Sequence, residues 1–158
     1  MEGPKQVKPK RLNDYLEVMS KAVFQAGISW RVIEAKWPGF REAFFGFDPE
    51  RIARLSPREI DALTEDTRIV RNRRKIEATV ENATTMLELS AEHGSFKKYL
   101  RSHDGFDATV TDLKKRFKFV GDMGAYYFLH VVGEEVPPHE EVMSRVAHAR
   151  RPRARSRR

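Results

Sequence analysis

The spacing of apolar residues restricts this chain to a helical fold. A first helix is marked by apolar residues at i, i+4, i+7 and i+11, namely Leu12, Leu16, Met19 and Val23. A long later helix, which should end before His93-Gly94, carries a second apolar stripe of Ile76, Val80, Ala83 and Leu87. No stretch alternates between apolar and polar residues for long enough to form a sheet. We therefore predict an all-α, single-domain helical bundle.

Capping residues divide the first half of the chain into separate helices. Ser29 can cap a second helix, which the Pro38-Gly39 pair should stop. Asp48-Pro49 places an N-cap before a proline at the first helical position. Ser56-Pro57-Arg58-Glu59 has the spacing of a capping box. In the second half, Thr111 can cap a helix that leads into a tight glycine turn. An apolar helix over 125–132 and a last helix over about 139–148 follow it.

Basic residues are concentrated at the C-terminal end of the 158-residue chain. Of the 30 Lys and Arg, six arginines lie in residues 150–158, which leaves 24 basic against 23 acidic residues in the remainder. The net charge of +7 therefore describes a tail more than a domain. We expect a flexible N-terminal arm (1–11), one helical domain (12–149) and a disordered basic tail (150–158). The tail either binds phosphate backbone nonspecifically or is merely solvated.

Several classes of protein are excluded by composition. The chain has no cysteine, so disulfides, thiol catalysis and cysteine-ligated zinc are ruled out. No apolar run approaches the ~18 residues that cross a bilayer, and the basic N-terminus lacks the apolar segment of a secretory signal. We therefore expect a cytoplasmic protein with no membrane partner.

A glycine turn between two helices is the first candidate for nucleic-acid binding. It comprises Lys118, Phe119, Val120, Gly121, Asp122, Met123 and Gly124. A glycine turn before a helix exposes unpaired backbone N–H groups at the positive end of the helix dipole, which suits a DNA phosphate. The basic residues Lys114, Lys115 and Arg116 precede it. The alternative is an ordinary helical hairpin with a solvated lysine face.

Two further clusters are candidates for contact with DNA. Five basic residues stand at the start of the long helix: Arg68, Arg71, Arg73, Arg74 and Lys75. They cannot all point inward, so most face solvent or a polyanion. Separately, Gln25 and Trp30 flank a glycine-containing helix junction, where they could hydrogen-bond and stack on a flipped base. The alternatives are a solvated charged face and a core tryptophan.

Four motifs stand in a fixed order along residues 12–140. They are Gln25-Ala26-Gly27-Ile28-Ser29-Trp30, Phe47-Asp48-Pro49, residues 66–76 with Asn82-Ala83, and Phe117-Lys118-Phe119-Val120-Gly121. Tyr126 and Phe128 follow in register. In these stretches the chain resembles the 3-methyladenine DNA glycosylase I family of the helix-hairpin-helix superfamily. The resemblance implies an enzyme of base-excision repair that needs no cofactor.

The resemblance also implies a mechanism and a set of residues. The enzyme would flip an alkylated purine such as 3-methyladenine from duplex DNA and hydrolyse its N-glycosidic bond. Trp30 would pack against the extruded base, Gln25 would contact its edge, Tyr126 would line the pocket or the core, and residues 118–124 would bind phosphate. Because alkylation leaves the base positively charged, it is a good leaving group, and binding matters more than a strong nucleophile. We expect a monomer associated with the nucleoid.

The chain departs from the family at two points. The family carries a Glu eight residues before the motif Trp, where Ala22 stands here. The family's zinc ligands include Cys, whereas this chain has only five His without a recognisable zinc spacing, so we expect no metal. Candidates for the missing carboxylate are Glu140 and Glu141, after the hairpin helix, and Glu17 on the first helix. The alternative is a catalytically reduced module that binds DNA or senses damage without cutting.

Overall fold

The structure, a computed structural model, describes residues 4–150. Its helices are α1 (Leu12–Gln25), α2 (Trp30–Ala43), α3 (Pro49–Ala53), α4 (Pro57–Thr64), α5 (Arg73–His93), α6 (Phe96–Leu100), α7 (Phe106–Arg116), α8 (Asp122–Val131) and α9 (His139–Arg150). A 3₁₀ turn, Phe45–Phe47, connects α2 to α3. Within residues 4–150 there is no strand, and the predicted all-α fold is confirmed. The predicted basic tail, apart from Arg150, lies outside the described residues.

Side-chain caps start α3 and α4 as predicted, whereas Ser29 occupies the N-cap position of α2 without a side-chain hydrogen bond. Asp48 accepts a hydrogen bond from the backbone N–H of Glu50 at the start of α3. Ser56 and Glu59 form both bonds of the capping box at the start of α4. The long helix α5 ends at Gly94, whose φ of 89° is the left-handed conformation that favours glycine. Local sequence is sufficient to define these boundaries.

The expected stop of α2 at Pro38-Gly39 is wrong. The helix continues through both residues to Ala43. The proline removes one hydrogen bond, but Trp37 and Phe40 on either side are both buried and stack at 4.8 Å. A Cβ on Gly39 would lie 2.6 Å from the backbone oxygen of Arg68. This glycine therefore allows the backbone at Arg68 to approach α2 closely, and it does not end the helix. Tertiary packing overrides the local signal.

The helix before the glycine turn also begins earlier than predicted. α7 starts at Phe106 with Gly105 as its N-cap, and Thr111 lies in its middle. The Thr111 hydroxyl donates to the backbone oxygen of Asp107, one turn back, rather than accepting from a following N–H group. Threonine therefore gave a misleading cap signal.

The core is centred on α1, which packs against α2, α5 and α8. Leu16, Met19 and Val23, from the predicted stripe, are completely buried. One side of the core is closed by a run of stacked rings that extends from α2 into the 3₁₀ turn. The rings are those of Trp37, Phe40, Phe44 and Phe47. Before α1, the backbone N–H of Val7 donates to the oxygen of Val131 at 2.7 Å. The N-terminal segment thus contacts the end of α8.

Candidate nucleic-acid interface

The glycine turn between α7 and α8 is anchored by two buried residues and presents an exposed one. Phe117 and Val120 are buried, whereas Phe119 is 45% exposed. Phe119 has a φ of 58°, an unfavourable conformation for an aromatic residue. Gly121 is the N-cap of α8, and no side chain caps this helix. Its first-turn N–H groups, next to the positive end of the helix dipole, therefore have the arrangement that binds a phosphate.

A buried asparagine on α5 fixes the position of this hairpin. Asn82 is 1% exposed. Its Nδ2 donates to the backbone oxygen of Lys118 at 3.1 Å, and the Lys118 N–H donates to its Oδ1 at 2.8 Å. The two bonds satisfy both polar groups of one turn residue. They attach the hairpin to the long helix, and hydrophobic periodicity gave no sign of them.

The predicted basic cluster divides into groups with different roles. The Arg74 guanidinium lies 5.6 Å from the ring centre of Phe119, so it belongs to the hairpin surface. Arg73 is paired with Asp61 at 2.6 Å. Exposed Arg71, Arg74 and Lys118 form no ion pair within residues 4–150, where their charge can meet a polyanion.

Lys75 does not face DNA, contrary to the prediction. It is 6% exposed, and its Nζ donates to the backbone oxygens of Phe24 and Ala26 at 3.2 and 2.6 Å. Burial lowers the pKa of its ammonium. The cation sits at the carbonyl end of α1, where it satisfies free backbone oxygens and favours the helix dipole. Through these two bonds Lys75 anchors the end of α1 at the Gln25–Trp30 junction.

The Gln25–Trp30 junction connects α1 to α2. Trp30 begins α2 and is 56% exposed, so it is not a core residue. The Oε1 of Gln25 is buried and has no hydrogen-bond partner within the described chain. One junction thus carries an unsatisfied buried acceptor and an exposed indole, which is unusual, since buried polar atoms are normally paired. Both residues were predicted to meet a flipped base.

A group of polar side chains, which we call the polar crevice, lies between α1, α2 and α8. It consists of Glu17, Lys21, Glu34, Trp37, Arg41 and Tyr127. Glu17 accepts hydrogen bonds from Trp37 Nε1 at 2.8 Å and from Arg41 Nε at 2.5 Å. Lys21 forms an ion pair with Glu34, and its Nζ lies 5.5 Å from the ring centre of Trp37. Burial, and then the negative charges of Glu34 and Glu17, raise the pKa of Tyr127 to about 12.

The three candidate carboxylates occupy different places. Glu17 belongs to the polar crevice, whereas Glu140 and Glu141 are exposed on α9. Glu141 is paired with Arg145 at 2.7 Å. α9 packs against α8 through Val142, which contacts Tyr126. The structure therefore does not place Glu140 or Glu141 among the groups of the crevice.

Tyr126, which was predicted to line the base pocket or the core, is packed between helices. Tyr126 is buried against Val142 and packs edge-on against Phe106 at 6.3 Å, so it fills the space between α7, α8 and α9. Tyr127, about 100° further around the helix, is the tyrosine of the polar crevice. Gly124, one turn before it, faces Ala22: a Cβ at Gly124 would lie 3.9 Å from that of Ala22.

A groove of about 630 Å³ beside α6 and α7 contains none of the predicted site residues. Its polar groups bind one another: Asp112 accepts from the Tyr99 hydroxyl at 2.7 Å and from Arg116 Nε at 3.0 Å, and it contacts His103 Nε2 at 2.9 Å. This network joins α6 to α7. Among the side chains that the structure describes, those of residues 4–145, no group of three or more His, Asp or Glu is arranged to hold a metal ion. Nor is any described helix long and apolar enough to cross a membrane.

Comparison with known proteins gives a consistent result. A sequence model described as methyladenine glycosylase matches residues 9–112. The DNA-3-methyladenine glycosylase of Haemophilus influenzae is 32% identical over 69% of this chain and 70% of its own length. DNA-3-methyladenine glycosylase 1 of Escherichia coli is 30% identical over the same shares.

Solved structures show the same likeness. The 3-methyladenine DNA glycosylase I of Staphylococcus aureus, solved to explain its recognition of 3-methyladenine, superposes with a TM-score of 0.71 at 28% identity, covering 82% of this chain and 80% of its own. A tyrosine-to-phenylalanine variant of 3-methyladenine DNA glycosylase I in complex with 3-methyladenine gives a TM-score of 0.72 at 28% identity, covering 82% and 81%. The resemblance thus extends over most of each chain.

Proposed function

The chain belongs to the methyladenine glycosylase family, and from that membership we propose that it excises an alkylated purine, foremost 3-methyladenine, from duplex DNA. The reaction is hydrolysis of the N-glycosidic bond after the base is flipped out of the helix. Water forms the new bond to the sugar carbon. The electrons of the broken bond pass to the cationic base, which leaves neutral. We propose further that the protein acts as a monomer and associates with the nucleoid, because its substrate is chromosomal DNA.

The observation that carries this proposal is the exposed Trp30 at the junction between α1 and α2. The start of α5 links this junction to the hairpin, because Lys75 bonds to the backbone oxygen of Ala26 and the neighbouring Arg74 lies over Phe119. An indole that is 56% exposed at a helix start offers a face on which a flipped purine can stack. The first turn of α8, which binds the phosphate in this proposal, also bears Gly124, close to Ala22 on α1. The phosphate-binding turn of α8 thus packs against α1, the helix that leads into the junction bearing Trp30.

The hairpin supplies binding that does not depend on sequence. Its free N–H groups and the charges of Arg71, Arg74 and Lys118 contact phosphate oxygens, which position the protein without reading bases. This arrangement suits an enzyme that must find a lesion anywhere in DNA. We expect each cation lost by mutation to reduce the salt dependence of binding by about one counterion.

Of the candidate carboxylates, Glu17 is the one that the polar crevice supports. Its charge is available to stabilise the positive sugar that forms as the bond breaks. Trp37 and Arg41 fix its orientation. We expect Glu17→Gln to lower the rate of base release about 100-fold. The double substitution Glu140→Gln/Glu141→Gln should leave it unchanged.

Methylated duplex DNA provides the direct test. Incubation with the protein should release 3-methyladenine, and Trp30→Ala should abolish the release while leaving the hairpin's affinity for DNA intact. Val32→Ala, which truncates another exposed residue of the same helix, is the matched control. Release of neither 3-methyladenine nor 7-methylguanine by the wild-type protein would overturn the assignment.

A second function is favoured by one observation, the buried Ala22 where the family carries a glutamate. A member without that carboxylate would bind DNA or sense damage without cutting it. Wild-type protein that binds damaged duplex in a salt-dependent manner, yet releases no base from it, would establish this second function.

A further inference from the structure

The polar crevice contains an ion pair that has no part in the proposed reaction. Lys21 on α1 and Glu34 on α2 are bonded to each other, with side chains 18% and 39% exposed. The pair is therefore neither buried in the core nor free in solvent. An ion pair that is only partly exposed contributes little to folding, because desolvation offsets most of the attraction. We therefore consider a role for the Lys21–Glu34 pair in binding rather than in stability.

Helical spacing places this pair next to Trp30. Glu34 follows Trp30 by four residues on α2, so the two side chains share one face of the helix. Lys21 on α1, which directly precedes Ala22, the position of the family's glutamate, is held towards α2 by its bond to Glu34. A base stacked on Trp30 would therefore meet the carboxylate of Glu34 along its edge, and the Lys21 ammonium beside it.

Tyr127 closes the third side of this arrangement. It lies one turn after Gly124, the residue that faces Ala22. Its hydroxyl has no hydrogen-bond partner within the described chain, and the carboxylates of Glu34 and Glu17 are close enough to raise its pKa. At neutral pH it is a protonated donor with no protein acceptor bound.

We propose that Lys21 and Glu34, joined by Tyr127, read the edge of the flipped purine and select alkylated adenine over alkylated guanine. This inference rests on the proposed glycosylase function. It assigns to α2 and α8 the base contact that the family's glutamate makes from the position of Ala22.

The selection follows from the hydrogen-bonding pattern of the two purines. Beside N7, adenine presents the N6 amino donor, whereas guanine presents the O6 acceptor. The Glu34 carboxylate accepts from N6, and the Lys21 ammonium donates to N7. Guanine would place O6 against the carboxylate, leaving two acceptors in contact without a proton between them. Such a mismatch discriminates strongly, because buried polar groups are then left unpaired.

The same chemistry predicts which kinetic constant depends on Glu34. The base is cationic when bound and neutral when it has left, so a carboxylate at its edge stabilises the bound state at least as much as the transition state. Loss of the charge should therefore raise KM, with a smaller change in kcat.

The experiment compares the release of 3-methyladenine and 3-methylguanine from the same alkylated duplex, because 3-methylguanine keeps N7 free and presents O6 where the adenine presents N6. For Glu34→Gln, we expect KM for 3-methyladenine to rise roughly tenfold or more, and the adenine-to-guanine ratio of kcat/KM to fall by a similar factor. The amide can rotate to donate to O6, which improves the fit to guanine. Lys21→Met, which keeps the aliphatic stem over Trp37, should also lower the ratio. Glu42→Gln, an exposed glutamate of the same helix, is the control and should change neither constant.

The outcomes distinguish this inference from the proposed function. If wild-type protein releases no base, the glycosylase function fails. If wild-type protein releases 3-methyladenine and Glu34→Gln retains the adenine-to-guanine ratio within about twofold, the function stands and this inference is overturned. A variant that loses activity but keeps the ratio identifies the pair as merely structural, and it also overturns the inference. Should Glu34→Gln fail to fold, the ratio measured for Lys21→Met decides.

Discussion

Asn82 allows a quantitative test of how α5 supports the hairpin. Its side chain is almost completely buried and makes two hydrogen bonds to the backbone of Lys118, at 2.8 and 3.1 Å. Each is worth about 1 kcal/mol net, and truncation also removes buried packing, so Asn82→Ala should lower the free energy of unfolding by about 2–3 kcal/mol. For a chain of this length the Tm should fall by about 5–10 °C.

The same substitution should weaken DNA binding more than its effect on folding would suggest. Below the Tm the variant is folded, but the Lys118 backbone is no longer attached to α5, and the hairpin must be ordered when DNA binds. Fluorescence anisotropy with undamaged duplex at low salt measures this, since undamaged DNA is bound through phosphate contacts alone. Thr84→Ala, on the exposed side of α5, is the control and should remain within about 0.5 kcal/mol of wild type.

Asn82→Asp separates hydrogen bonding from shape. The carboxylate still accepts from the Lys118 N–H, but it cannot donate to the Lys118 carbonyl, and it is a buried charge. Its pKa in the folded protein should be raised above the unfolded value. The missing stability should therefore return as the pH falls through that raised pKa, because the protonated group donates again. If Asn82→Ala retains the wild-type Tm, or if Asn82→Asp shows no relative recovery in acid, the two bonds do not hold the hairpin.

Four further substitutions probe other parts of the molecule. Lys75→Met should lower the Tm, because two carbonyls at the end of α1 lose a charged donor worth roughly 2 kcal/mol, whereas Arg71→Met should lower only DNA affinity. Phe119→Gly should leave the Tm unchanged or raise it by relieving the positive φ, yet weaken DNA binding. Asp112→Asn should destabilise the fold at neutral pH and abolish part of its acid sensitivity. Although burial opposes ionisation, hydrogen bonds from the groove network hold the pKa of Asp112 below its ordinary value. Wild type therefore loses this stabilisation as the pH falls through that lowered pKa, and the variant does not.

Local signals predicted what local interactions determine. The caps at Asp48 and Ser56 were found as expected, because an N-cap side chain bonds to N–H groups two or three residues away. Pro38-Gly39 and Thr111 misled for the complementary reason. At Pro38-Gly39 the decisive contacts are long-range, since buried rings hold α2 together and the backbone of Arg68 approaches the glycine. No window of sequence around these residues contains that information.

Buried polar residues account for most of what the sequence failed to predict. Lys75 was grouped with surface arginines because it is charged, and Asn82 lay between apolar positions of the stripe without being assigned to the core. Both bond to backbone far away in sequence, at Phe24 and Lys118. Their value to the fold depends on an acceptor or donor whose position is known only after folding.

The same limitation explains why the sequence did not indicate Glu34 and Tyr127 as candidate base contacts. The family pattern directs attention to one position on α1, which is Ala22 here, and on that evidence the acid has simply been lost. The folded chain instead brings Glu34 of α2 and Tyr127 of α8 beside that position, more than 90 residues apart in sequence. A cationic leaving group needs an acceptor at its edge rather than a nucleophile at one fixed residue, so any helix that borders the stacked base can provide it. The adenine-to-guanine ratio of kcat/KM, compared between Glu34→Gln and wild type, therefore tests whether the base contact can be supplied from a different helix than the one that carries the family's glutamate.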